Sequence, residues 1–171
     1  MIYINIGSNL KSENGDRIFN IKKAIDLIIF EKIKIVKKSS IYETPSYPNK
    51  KNPKFLNICL QIKSKQKPEI LIKKFQIIER KLKRKKGLKN EPRTCDIDII
   101  DYKGKNIESK ELTVPHPRAH LRNFVLFPLR EISKEWMHPL LNKKIDYLIN
   151  KLKLNLRNEI TKIKETVIIS K

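Results

Sequence analysis

Three short runs of this chain alternate their apolar residues with period two: Ile2, Ile4 and Ile6 in "MIYINIG", Leu56, Ile58, Leu60 and Ile62 in "FLNICLQIK", and Cys95, Ile97 and Ile99 in "TCDIDII". Such alternation places successive side chains on opposite faces of a sheet, so each run commits one face to a core. Between the runs the period changes. From Asp16, Ile18, Ile21, Ile25, Ile28 and Ile29 recur every three or four residues, and Asp16 is placed to cap the first turn of a helix. Pro68 opens a second helix at a favoured early position, with Ile70, Leu71, Ile78 and Leu82 along its stripe and Glu79 paired with Lys83 at i,i+4.

Residues 33 to 43 return to strand character and end at "YETPSYPNKKNP", where Pro45, Pro48 and Pro53 mark a loop. In "FLNICLQIK", Phe55, Asn57, Cys59 and Gln61 give the other face a mixed character. The turn at Lys103-Gly104-Lys105 predicts a hairpin after "TCDIDII". Helical pieces are expected near 124–134 and 142–152, and an edge strand at "TVIIS". The order strand, helix, strand, strand, helix, strand predicts an α+β fold: a ferredoxin-like βαββαβ antiparallel sheet with helices on one face, extended by a C-terminal hairpin and helices. We expect one domain over residues 1–171, its motifs within about 1–135 and a packing extension from about 140.

The formal charge is +21, from 39 Lys and Arg against 18 Asp and Glu. A field of that sign favours approach of polyanions, although lysines scattered among Ile and Asn, as in "IKKAIDLIIFEKIKIVKK", read mainly as solvated faces. Cys59 and Cys95 lie in separate apolar runs without a Cys-x-x-Cys pattern, which predicts buried reduced thiols and suits the cytoplasm. No apolar run approaches the roughly 20 residues of a membrane helix. No membrane association is expected, and a monomer is.

Against this background "PRTCDIDII" stands out. Asp96 and Asp98, two apart on a strand, project from one face with Cα atoms about 6.5–7 Å apart. Adjacent carboxylates repel unless a cation shares the site, and an oxygen-only pair suits Mg²⁺, which keeps water and phosphate oxygens as its other ligands. The alternative is an exposed polar strand face, where Asp is disfavoured. Asp101 has the opposite parity and reads as a turn residue. Arg93, after Pro92, is placed to fork onto phosphate, and Arg84, Lys85, Lys86 and Lys89, with Lys83 before them, would form a cationic rim. His116 and Arg122, in "VPHPRAHLR", are candidates for anion contact, whereas His120 and His138 read as structural. With 4 glycines and no G-x-x-x-x-G-K-[ST] spacing, a P-loop is excluded, and no motif for a side-chain nucleophile is present.

"IGSNL", "SSIYETPSY", "FLN", "PRTCDIDII" and "LTVPHPRAHLRNFVLFPL" together resemble the 6-hydroxymethyl-7,8-dihydropterin pyrophosphokinases of folate biosynthesis, over about the first 135 residues. The resemblance implies transfer of pyrophosphate from ATP to the pterin hydroxymethyl group, with two Mg²⁺ held by Asp96 and Asp98 and with Arg84 and Arg93 in catalysis. It implies ATP contacts from Gln76, Glu79, Arg84, Lys86, Arg93, Thr113, His116 and Arg122. For the pterin it implies stacking between Phe55 and Phe124, reading by Asn57, and Thr44, Pro45 and Tyr47 around the ring. One segment departs from the family: loops that commonly read Arg-Trp-Gly-Pro-Arg here read Lys89-Asn90-Glu91-Pro92-Arg93, which predicts a looser lid. The rival reading is a basic ferredoxin-like RNA-binding module without catalysis, which accounts for Phe55 and the lysines but leaves the paired aspartates unexplained.

Overall fold

The computed structural model describes residues 1–85 and 91–164. Along the chain run β1 (Ile2–Ser8), α1 (Arg17–Phe30), β2 (Lys34–Lys38), β3 (Tyr42–Thr44), β4 (Phe55–Lys63), α2 (Pro68–Lys81) and β5 (Asp96–Tyr102). They are followed by β6 (Ile107–Glu108), β7 (Thr113–Val114), α3 (Asn123–Ile132), α4 (Ile145–Lys151), α5 (Leu154–Asn158) and β8 (Thr161–Lys162). Strand β1 is central, antiparallel to β4 on one side and β5 on the other. Beyond β4 lie β2 and β3, which pair with successive stretches of it, and β8 joins β3. This is the ferredoxin-like arrangement expected.

The stretch read as one strand over 33–43 is two. Ser39 breaks it: its backbone N–H donates to Cys59 O and its hydroxyl accepts from Cys59 N, so a side chain takes over one rung of the ladder. Asp16 caps α1 by accepting from Phe19 N at 2.8 Å, and Pro68 opens α2, both as the sequence predicts.

Helices α1 and α2 bury Ile21, Ile25, Ile28, Leu71, Phe75 and Ile78 against Ile4, Ile6, Ile58, Leu60 and Ile97 on one sheet face. The other face, expected to be free of helices, is covered as well. Val125, Leu126 and Leu129 of α3, with Ile145, Leu148 and Ile149 of α4, pack over Tyr3, Cys59 and Ile100. Each such side chain contributes about 1.5–3 kcal/mol when fully buried, which outweighs the polar atoms carried under with it. Two of the residues so buried pair with each other: Gln61 Nε2 donates to Tyr3 Oη, which lies 3.0 Å from Ser133 Oγ. Beyond 140, α4 packs while α5 buries no residue, and the expected edge strand at "TVIIS" lies outside the described residues. Both cysteines are free and buried. Among the described residues no helix is long and apolar enough to cross a membrane.

Two further expectations are corrected. A bulge between Tyr3 and Ile4 makes Ile100 an extra residue on β5, so Asp101 pairs with Tyr3 and shares its face despite its parity. Asp101 is a turn residue, accepting from Gly104 N at 2.7 Å, but it is also buried and accepts from Trp136 Nε1 at 2.8 Å. The turn at Lys103-Gly104 ends β5 without a hairpin back onto it, because β6 pairs with β7 instead.

Candidate active site

Register across the sheet assembles the site. One row runs from Asp96 through Gly7 to Asn57 and Tyr42, and the next runs from Asp98 through Asn5 to Cys59. With strands about 4.8 Å apart, Asp96 and Asn57 lie roughly 10 Å from each other along one row. Asp96 and Asp98 share the partly exposed face while Cys95, Ile97 and Ile99 are buried beneath, as the alternation predicts.

Cations surround the carboxylates. Lys83, with φ 61°, leaves the helical path after α2, which turns Arg84 back over the sheet. Glu79 therefore pairs with Arg84 at 2.5 Å rather than with Lys83, the expected partner. The same Arg84 Nη1 lies 2.6 Å from Asp96 Oδ1, and Arg93 Nη1 donates to Asp96 Oδ2 at 3.0 Å. Glu79 Oε1 also accepts from Ile97 N at 2.7 Å, tying α2 to β5. Burial pushes the Glu79 carboxyl up to about 7 against the opposing pull of Arg84 and the Ile97 N–H. Burial, reinforced by the Asp96 charge, likewise raises the Asp98 carboxyl.

On the other side, β7 and Pro115 bring His116 against β5, its N–H donating to Ile100 O. His116 Nε2 and Arg122 Nη1 stand 3.9 and 3.5 Å from Asp98 Oδ2. Burial, with help from Arg122 and Arg118, lowers the imidazole to about 4, so the ring is neutral at physiological pH. A neutral ring has one N–H and one acceptor nitrogen, yet Arg118 N–H faces Nδ1 at 3.1 Å and Arg122 faces Nε2 at 3.3 Å. One of these contacts sets two donors together in either tautomer. If Nδ1 accepts, Nε2–H and Arg122 point as paired donors at the acceptor Asp98 now provides.

Phe55 begins β4 opposite Thr44, and Asn57, two residues on, has Nδ2 3.5 Å from Thr44 Oγ1. Asn5 contacts Asn57 Oδ1 at 3.3 Å, and a Cβ on Gly7 would lie 3.0 Å from that same oxygen and 3.6 Å from the Phe55 ring. Phe124 lies under the Arg122 guanidinium, 5.3 Å from it, while Pro45 is half-buried and Tyr47 largely exposed on the proline-rich loop. Thr113 opens β7 near His116. Gln76 sits on the exposed side of α2, one turn before Glu79. Lys86, Lys89 and Asn90, and with them the expected lid, lie outside the described residues.

The sequence reading passed over Asn5 and Gly7. Their only signal is position: Gly7 occupies the rung of β1 between Asp96 and Asn57, and Asn5 the next one, between Asp98 and Cys59. Two surface cavities, about 420 Å³ beside Phe127 and Asp146 and about 360 Å³ beside Lys37 and Glu135, share no residue with this cluster. Among the described residues no group of three or more His, Cys, Asp or Glu could hold a metal ion. A cation here would have two protein carboxylates and would need further oxygens from water or substrate.

The family model for 7,8-dihydro-6-hydroxymethylpterin-pyrophosphokinase matches residues 3–134. The 2-amino-4-hydroxy-6-hydroxymethyldihydropteridine pyrophosphokinase of Aquifex aeolicus is 38% identical over 144 residues, which is 84% of this chain and 87% of that protein. The folic acid synthesis protein fol1 of Pneumocystis carinii is 38% identical over 151 residues, 88% of this chain but 20% of that protein. A solved Plasmodium falciparum HPPK-DHPS superposes with a TM-score of 0.71 at 16% identity, covering 94% of this chain and 46% of the other, a likeness of fold alone. The chain thus spans most of the bacterial relative and a minor part of the fungal and plasmodial ones.

Proposed function

Since the chain belongs to the 7,8-dihydro-6-hydroxymethylpterin-pyrophosphokinase family, we propose that it transfers the pyrophosphoryl group of ATP to the hydroxymethyl oxygen of 6-hydroxymethyl-7,8-dihydropterin and releases AMP. The observation that carries this reading is the convergence of Asp96 and Asp98 with Arg84, Arg93, His116 and Arg122 at one end of the sheet.

Asp96 and Asp98 are the residues that would hold two Mg²⁺. The donor set fits a hard cation: two carboxylates share a face, one is drawn onto two guanidinium groups and the other is hindered from ionising. Bound there, the ions would neutralise charge on the triphosphate and on the departing AMP. The protein's own work is positioning. Arg84 and Arg93, released from Asp96, are placed to fork onto phosphate oxygens, and His116 with Arg122 offers the paired donors that an anion would accept. Gln76, Glu79, Thr113 and Lys86 complete the proposed nucleotide contacts. Phe55 and Phe124 are assigned to stack on the pterin and Asn57 to read its edge, with Thr44, Pro45 and Tyr47 around it. The hydroxymethyl oxygen attacks the β-phosphorus directly, so no side-chain nucleophile is required.

The RNA-binding alternative is not supported. A module of that kind reads single strands on an open sheet face, and here α3 and α4 cover the face opposite α1 and α2. The test is AMP formation from ATP with and without the pterin and Mg²⁺. Asp96→Ala and Asp98→Ala should each lower the rate about 10³-fold while the fold persists. Unchanged rates, or AMP released equally without pterin, would sink the proposal.

A further inference from the structure

We infer that Asn9 is a positioning residue that locks the nucleotide side of the site to the pterin side, and so sets the distance between transferred phosphorus and accepting oxygen. The inference rests on the reaction proposed above. Asn9 follows β1 and is buried. Its Oδ1 accepts from Arg93 N at 2.7 Å, while Asn9 N and Leu10 N both donate to Arg93 O at 3.1 Å. The Arg93 residue is thus gripped by its N–H and its carbonyl, and its guanidinium extends from that anchor to Asp96.

The other end of the amide faces the proline-rich loop. Asn9 Nδ2 donates to Ser46 Oγ and to Pro53 O, each at 3.1 Å, and Ser46 Oγ donates to Pro53 O at 2.5 Å. Ser46 lies between Pro45 and Tyr47, and Pro53 precedes Phe55 by two residues. One carboxamide therefore uses both hydrogens on the segment assigned to the pterin and its oxygen on the segment assigned to phosphate. The close alternatives do not serve both: Asp lacks the donors, Ser lacks the reach, and Gln adds a methylene to a buried fit.

Because this residue is assigned to neither substrate, its loss should appear in the chemical step and leave each binding step largely intact. Misplacement by about 1 Å can cost 10²-fold in rate. We expect Asn9→Ala to lower kcat about 10²-fold. The Kd of a non-hydrolysable ATP analogue with Mg²⁺, and that of the pterin, measured singly by calorimetry, should stay within about threefold of wild type. Asn9→Asp keeps the acceptor for Arg93 N and removes both donors; with the folded fraction of each variant measured by circular dichroism, its kcat per folded molecule should fall to within about threefold of the alanine variant. In the wild-type protein, pterin alone should slow hydrogen exchange at the Arg93 amide about tenfold, although its assigned contacts lie on the other segment. Wild-type kcat in Asn9→Asp, a loss confined to one Kd, or Arg93 exchange indifferent to pterin would each overturn the inference. Absence of AMP from the wild-type protein would instead overturn the proposed reaction.

Discussion

Nη1 of Arg84 lies 2.6 Å from Oδ1 of Asp96. With Arg93 on the second oxygen, Asp96 is neutralised in this conformation by the two side chains proposed to meet the triphosphate. Guanidinium groups and a divalent cation therefore compete for one carboxylate, and nucleotide phosphates would draw the arginines away from it.

That competition gives opposite signs for binding and turnover. Arg84→Ala should bind Mg²⁺ several-fold more tightly than wild type in the absence of nucleotide, yet form AMP about 10²-fold more slowly. Calorimetric titration with Mg²⁺ alone checks the first half; an affinity equal to or weaker than wild type would contradict it.

Glu79 makes metal-free stability depend on pH. Its folded-state value of about 7 lies above the ordinary 4.5, so the folded protein holds a proton that the unfolded chain has released between these values. Stability relative to Glu79→Gln should therefore be greatest below pH 4.5, fall as pH rises to 7, and level off above it, by on the order of 3 kcal/mol in all. Urea denaturation of both proteins in EDTA from pH 4 to 8 measures the difference, and parallel curves would refute it.

Gly7→Ala places a Cβ 3.0 Å from Asn57 Oδ1, closer than a settled contact allows. Asn57 must shift by a few tenths of an ångström, so KM for the pterin should rise about tenfold while nucleotide affinity holds. Equal losses for both substrates would place the effect elsewhere.

Asp101→Ala separates stability from catalysis. It leaves the buried Trp136 Nε1–H and the Gly104 N–H without their acceptor. A loss of about 2 kcal/mol is expected, seen as a fall in Tm of roughly 4–8 °C, with kcat per folded molecule unchanged. A large fall in kcat would show that this bond shapes the site.

The sequence by itself determined the three long strands β1, β4 and β5, the two sheet-packing helices and the shared face of Asp96 and Asp98, because alternation and 3.6-residue periodicity are local properties that tertiary contacts here reinforce. The motifs around "PRTCDIDII" and "VPHPRAHLR" also named the charged residues that converge. Only the tertiary structure decided which residues meet. Asn5 and Gly7 matter through cross-strand register, Asp101 changed face through one bulge, Glu79 chose Arg84 once Lys83 left the helix, and the mixed face of β4 was buried by α3 and α4. Each outcome joins residues dozens of positions apart or turns on a single irregular residue. The period of a sequence records neither, since it carries the direction of a side chain and not the identity of what that side chain finds.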